Sequence, residues 1–568
     1  MTARLDQLRF PDETKLGLAL LVGYMLFDAS QTYSLGGWHI LKWLTGTAPS
    51  VQQAGGLQLF MLVTLSAILM GWRIRLSLKG LQLRRIEEVD AKASGETAYL
   101  GTRIARDRAK FFVTANMGDT NAFCMWAGRT PWIVLGGGLR LLFRKDPARA
   151  RAIVGHECAH VDVGDTQYLL VAWHVFNSYA LLTIGYLVLV QAQFWLRVPD
   201  VLPAFHRQGL GLPDLLKQNA VNVFRNGFPG LIALAGLAFT LRHFARLREY
   251  RADERAAQVG LRQPLIDTLN VLTLRTLQPR WRQLVMFHPT ADERAKRLSN
   301  EAFWAKPDLL FIGTLAFLAT RIDEHFEGID EASLPDMITF DDMLTFLPSA
   351  MAAHPLTTVS VMLWIVFLFI AVVNVYRASA TQAKFGVTLR SRLTVALSAF
   401  AALFLGSLLG DLTSLGQLMR LSDVSTSQIW IKVADSAFSI AALTAMAGTF
   451  LLLSVSLVSS RMLKHARPLG WSQLWTLSWW TLLAVFALQL VVNIVAGLVG
   501  LAIGGGMNGW EVSWLPRSSR QDISNFPSLL QAFACFLLAV VALQVFRLWP
   551  GRPVDARANI DASWLIQE

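Results

Sequence analysis

Stretches long and apolar enough to cross a bilayer recur along this chain, near residues 17–35, 56–72, 168–196, 219–241, 357–376, 393–412, 434–458, 475–502 and 527–547. A helix needs roughly 17 to 25 such residues to span the hydrocarbon layer. Backbone in lipid must satisfy its own hydrogen bonds, so segments of this kind are read as helices. The expected fold class is therefore mainly α: a polytopic integral membrane protein with about 9–10 transmembrane helices. Composition agrees, since 53% of the 568 residues are hydrophobic, only 16% are charged and the mean hydropathy is +0.41.

A tenth run, "DLLFIGTLAFLATR" at 308–321, is short for a crossing and reads equally as an interfacial or buried helix. Charge bias favours a crossing. The segments 73–85, 242–306, 377–392 and 461–467 and the tail after Arg547 are rich in Arg and Lys, which places them on the cytoplasmic side. Between Arg321 and Arg377 there is no Lys or Arg, and that loop is acidic, so it prefers the outer side. Both termini are then cytoplasmic, in a multi-pass protein expected in a bacterial cytoplasmic membrane. The net charge of +12 comes from clusters between apolar runs rather than one basic face, which argues against nucleic acid as a partner. The bilayer is the partner this pattern implies, and nothing specifies an oligomeric state.

Cys124, Cys158 and Cys535 are widely separated and form no CxxC pair, so neither a disulfide framework nor a thiolate zinc cluster is indicated. The polar N-terminal stretch is too long for a signal n-region, and the first apolar run reads as a retained anchor. Three parts are expected: a two-span anchor at 1–72, a small α+β unit at 73–306 with embedded spans at 168–196 and 219–241, and a multi-span region of open role at 307–568.

The chemistry concentrates in "GHECAHVDVGD" at 155–165. On a helix, positions i and i+4 share a face, so His156 and His160 can aim at one ion with Glu157 beside it. Asp146 suits an N-cap and Pro147 the first helical position, and the helix should end near "VGD". A lone HExxH also arises by chance. A catalytic zinc usually takes three protein ligands, so a third donor must lie on the same side of the membrane. Two spans separate His160 from "LREYRADERAAQ" at 247–258, which returns the chain to that side and offers Glu249. Asp253, four residues on, can accept from the distal nitrogen of a ligand histidine. The bland alternatives are a solvated Glu249 among arginines, and Asp253 paired with Arg251 or Arg255.

These motifs, in order, resemble the gluzincin membrane proteases typified by the HtpX heat-shock protease and the type 1 CAAX prenyl endopeptidase, over roughly residues 50–300. "DTNAF" at 119–123 is similar to that family's Asn-Ala-Phe element, which makes Asn121 a substrate-backbone contact. "TPWIVLGGGL" at 130–139 looks like its strand before the zinc helix. "FHPTADERAKRL" at 287–298 resembles its His-Pro segment, giving His288 a transition-state role and Arg294 a supporting one. Without the resemblance, Asn121 reads equally as a turn former, His288 as a helix-start residue and Arg294 as a solvated charge. The segment before Pro289 departs from the family pattern, and residues 307–568 have no obvious counterpart in the short bacterial proteases.

The resemblance implies a small HExxH zinc metalloprotease domain on the cytoplasmic side. One Zn²⁺ would be held by His156, His160 and Glu249, with Glu157 as general base and His288 at the oxyanion. Substrates would be membrane proteins or peptides, held extended by Asn121 and the edge of strand 130–135. The main alternative is a non-proteolytic scaffold or channel-like protein that keeps the metal site for structure. A transporter would need paired broken helices, which are not seen. Asp28, His174 and Asp411 lie in or at the ends of spans, where ionisable groups are often functional. The triplets Gly136–Gly138 and Gly504–Gly506 lack a phosphate loop's lysine and read as turns or close packing.

Overall fold

A computed structural model describes residues 13–31, 42, 46, 51–127, 130–164, 166–275, 286–299, 308–327 and 389–412. The expected spans at 357–376, 434–458, 475–502 and 527–547 and the second glycine triplet lie outside the described residues.

Helices dominate. In chain order they are α1 (Glu13–Gln31), α2 (Val51–Gly80), α3 (Ala91–Leu100), α4 (Gly137–Lys145), α5 (Pro147–Val163), α6 (Thr166–Arg207), α7 (Leu212–Ala256), α8 (Arg262–Arg275), α9 (Ala291–Ser299), α10 (Leu309–Glu327) and α11 (Leu389–Leu412). Among the described residues three helical stretches are long and apolar enough to cross a membrane: Gln53–Leu76, Thr166–Arg207 and Gly230–Leu272. The expected span 219–241 lies wholly within α7. Shorter apolar helical stretches occupy Gly17–Leu26, Leu309–Leu318 and Leu397–Gly410.

One apolar core joins α1, α2, α6, α7 and α10, with Leu21, Met25, Leu62, Tyr179, Leu237, Phe244 and Phe311 buried. Tyr179 donates to the Asp28 carboxylate inside this bundle, which gives the buried carboxyl a partner. The helix expected at 308–321 packs on α7 and α11. Its contact with α11 is backbone to backbone: a Cβ at Gly406 would sit 2.0 Å from the Gly313 carbonyl oxygen. Small residues allow such approach between membrane helices.

The second core lies under a four-stranded sheet of order β1-β2-β4-β3, formed by β1 (Arg84–Arg85), β2 (Lys110–Val113), β3 (Ala122–Ala127) and β4 (Thr130–Leu135). β2 runs parallel to β4, while β1 and β3 pair antiparallel with their neighbours. Ile133 and Leu135 alternate onto the buried face, against Leu139 and Phe143 of α4 and Val154, Cys158 and Ala159 of α5. The strand expected at 130–135 is therefore present but central, paired on both sides, and the free edge near α5 is β3. This corrects the expected substrate edge, because a strand hydrogen-bonded on both sides has no backbone groups left for a peptide. The triplet Gly136–Gly138 lets β4 turn into α4: Cβ atoms there would meet the carbonyl oxygens of Asp119, Asn116 and Met117 at 2.3, 2.7 and 2.5 Å.

Candidate metal centre

The helix carrying the motif is specified locally. Asp146 caps α5 by accepting from the Arg149 amide, Pro147 opens it, and Gly164 ends it at φ 69°, a left-handed conformation glycine adopts freely. The histidines leave this helix side by side, with ring centroids 4.7 Å apart at 78°. Asp165 lies outside the described residues, and α6 starts at Thr166, so the motif helix joins the apolar helix within a turn.

Across from them, α7 offers Glu249. His156 Nε2 lies 3.3 Å from Glu249 Oε2 and His160 Nε2 lies 3.6 Å from Glu249 Oε1. All three residues are buried, at 6, 2 and 6% exposure. Glu249 is thus not a solvated helix residue. For bonds of about 2.1 Å, the donor-to-donor edge of a tetrahedral zinc shell is about 3.4 Å. The two nitrogen–oxygen separations bracket that length, and one donor atom from each residue lies within 4.8 Å of the others. The donor set, two neutral nitrogens and a carboxylate oxygen, suits zinc.

Asp253 sits one turn beyond Glu249 and accepts from His156 Nδ1 at 2.9 Å, which turns Nε2 toward Glu249, with Arg294 Nη2 3.2 Å from it. Its carboxylate also takes two bonds from Arg294, at 2.8 Å from Nε and 2.5 Å from Nη2. Arg255 bonds Asp162 of α5 at 2.7 Å instead. Burial and the Arg294 guanidinium push the His156 imidazole down, but the Asp253 and Glu249 carboxylates outweigh them and raise it to about 9. Burial also works against the charge on Arg294, and Asp253, with Glu249 and Glu157, more than offsets it.

His288 is 67% exposed at the side chain and places Nδ1 3.4 Å from Glu249 Oε1. The segment before it is held from two sides. Arg242 donates from Nε to the Met286 carbonyl at 3.1 Å, and Trp173 of α6 packs edge-on against Phe287 at 4.7 Å between centroids. After it, Glu293 accepts from the Thr290 amide while Thr290 Oγ1 accepts from the Glu293 amide, a reciprocal cap that starts α9. Arg246 bonds the same Glu293 at 2.6 Å. Arg242, Arg246, Glu249 and Asp253 recur at i, i+4, i+7 and i+11, so one stripe of α7 carries the donor carboxylate and the side chains that hold the His288 segment.

Glu157 is half-buried beside the histidines, and Asn121 is exposed at the start of β3. Asn121 is fixed by its backbone: its amide donates to Asp119 Oδ1 and its carbonyl accepts from the Gly136 amide. Burial, with Glu157 next door, pushes the Cys158 thiol well above its ordinary value, so it packs as a small apolar group. Sequence reasoning missed Arg242, Arg246 and Trp173. The helical spacing of the two arginines relative to Glu249 was the available signal; Trp173 had none.

Two histidines on one helix facing a carboxylate on a second, backed by a small mixed sheet and joined to apolar helices, define a metallopeptidase-type domain built into a membrane bundle. Residues 88–302 match the model of Peptidase family M48, whose members are metal-dependent. Protease HtpX of Chromohalobacter salexigens is 28% identical over 211 residues, covering 33% of this chain and 63% of that protein. Protease HtpX homologs from two Chlorobium phaeobacteroides strains are 29% and 30% identical over 156 and 159 residues, 27% of this chain in each case and 49% and 47% of theirs. The chain thus spans between about half and two thirds of the length of these relatives. No solved structure matches. Over residues 88–302 this chain is thus similar to peptidase family M48, and to its HtpX proteases in particular.

Proposed function

We propose that the protein is a zinc-dependent endopeptidase that cleaves membrane-associated proteins at the cytoplasmic face, in their quality control or processing. The observation that carries this is the convergence of His156 Nε2, His160 Nε2 and the Glu249 carboxylate at separations suited to one tetrahedral ion. His156, His160 and Glu249 would hold that zinc, and when bound it supplies Lewis-acid polarisation of the scissile carbonyl and activation of water.

The remaining steps belong to the chain. Glu157 takes the proton of the attacking water and delivers it to the leaving amine. His288, held through Met286 and Phe287, donates to the developing oxyanion; losing one such donor typically costs about 3 kcal/mol of transition-state stabilisation. The unpaired edge of β3, beginning at Asn121, takes the substrate backbone as an added strand. Asp253 and Arg294 orient His156. Membrane-associated substrates follow from α5 leading within a turn into α6.

Purified Glu157→Gln protein should retain zinc at the wild-type stoichiometry and lose cleavage of itself or of a model membrane substrate. Equal cleavage by variant and wild type would refute the assigned base.

A further inference from the structure

The emergence of α2 from the bundle carries a second site, independent of proteolysis. Ile68, Trp72 and Leu76 are 59, 61 and 53% exposed, at successive i+4 positions on one face of α2. Arg75 and Lys79 continue the same face and are exposed. At about 1.5 Å per residue, this face passes from apolar at Ile68 to aromatic about 6 Å on, and to cationic over the next 10 Å or so. That is the order of acyl chain, interface and headgroup across one leaflet.

Arg73 lies beside the stripe, and Arg84 and Arg85 follow on β1, the sheet's outer strand on the side away from β3, both exposed. Among the described residues none of these five cations makes an ion pair. Glu87 and Glu88 follow and leave the group net positive. Other surface cations are engaged differently: Arg106 pairs with Asp162, Arg144 with Asp90 and Arg151 with Glu96. An exposed apolar face continuous with free cations selects a lipid over a soluble polyanion.

We propose that Arg73, Arg75, Lys79, Arg84 and Arg85 form a binding site for the headgroup of an anionic phospholipid whose acyl chain lies along Ile68 and Trp72. The full chain in nanodiscs, with spin-labelled phosphatidylglycerol or phosphatidylcholine, tests this through the relative association of each label with the protein. Wild type should prefer phosphatidylglycerol by about fivefold or more at low salt, with the preference falling in about 1 M salt. Combined Arg75→Gln, Lys79→Gln, Arg84→Gln and Arg85→Gln should bring the preference close to one. Arg207→Gln with Lys217→Gln, which removes exposed cations at the far end of the α6–α7 hairpin, should leave it unchanged. A preference absent in wild type, or kept in the fourfold variant, would overturn the site, and neither result bears on the zinc centre. A circular dichroism spectrum and elution volume in detergent that match wild type show that the variant has folded.

Discussion

Asp253→Asn separates two roles that the structure combines in one buried carboxylate. Asp253 is 1% exposed, accepts from His156 Nδ1 and binds Arg294 through both oxygens. The amide keeps the shape, loses the charge and can present its NH₂ to His156, favouring the wrong tautomer. Loss of a group that orients a metal-ligating histidine typically lowers metal affinity about 10- to 100-fold, or about 1.4–2.7 kcal/mol. Stability should fall separately, because Arg294 keeps a buried charge without its partner; removing one member of a buried pair costs about 3–5 kcal/mol. Competition with a chromogenic chelator reads the first effect and thermal unfolding in detergent reads the second. Combining Asp253→Asn with Arg294→Met should recover much of the stability while zinc affinity stays low, since the uncompensated cation is gone but His156 is still unoriented. A zinc affinity for Asp253→Asn within about twofold of wild type would refute the orienting role.

Other outcomes follow from the same geometry. Glu249→Ala should lose zinc under mild chelation that leaves wild type loaded; equal retention would place the third donor elsewhere. With His156 raised to about 9, a proton must leave that imidazole before it ligates below that pH. Apparent zinc affinity should therefore rise about tenfold per pH unit through the neutral range with release of at least one proton, read by calorimetry in buffers of different ionisation enthalpy. Arg242→Met frees the Met286 carbonyl from its donor and should lower kcat about tenfold with zinc content intact, in line with the cost of small misplacements near a reacting centre. An unchanged kcat would show that His288 needs no such support.

The motif helix was legible because its signals are local. Asp146, Pro147 and Gly164 each act within a turn of their own position, and the i, i+4 histidines share a face whatever surrounds them. Glu249 was reachable by topology, since two apolar segments return the chain to one side. Its burial among arginines was not, because the same charge run suits a solvated helix until α9 folds across it and Arg294 and Arg246 find their carboxylates. The sheet shows the limit most clearly. Thr130–Leu135 has a strand pattern, but only the parallel pairing with Lys110–Val113 makes it central, and such non-local pairing leaves no mark in either segment alone. The result moved the open edge to Ala122–Ala127. Trp173 was hidden in the same way, as one of many aromatic residues in apolar helices until Phe287 is placed beside it.

The position of the third donor has a mechanical consequence. His160, on α5 just before α6, and Glu249 on α7 flank the α6–α7 hairpin, so a shared ion would close a loop on the order of 90 residues that contains two helical stretches long and apolar enough to cross a membrane. Arg255 of α7 and Asp162 of α5 already bridge the chain close by, and the donor trio adds a clasp at the hairpin's mouth. Any ligand held only by the folded state stabilises it in proportion to the logarithm of its concentration. Metal supply would then govern how firmly two membrane helices are held in register, and a starved protein would loosen at its membrane hairpin as well as lose its chemistry.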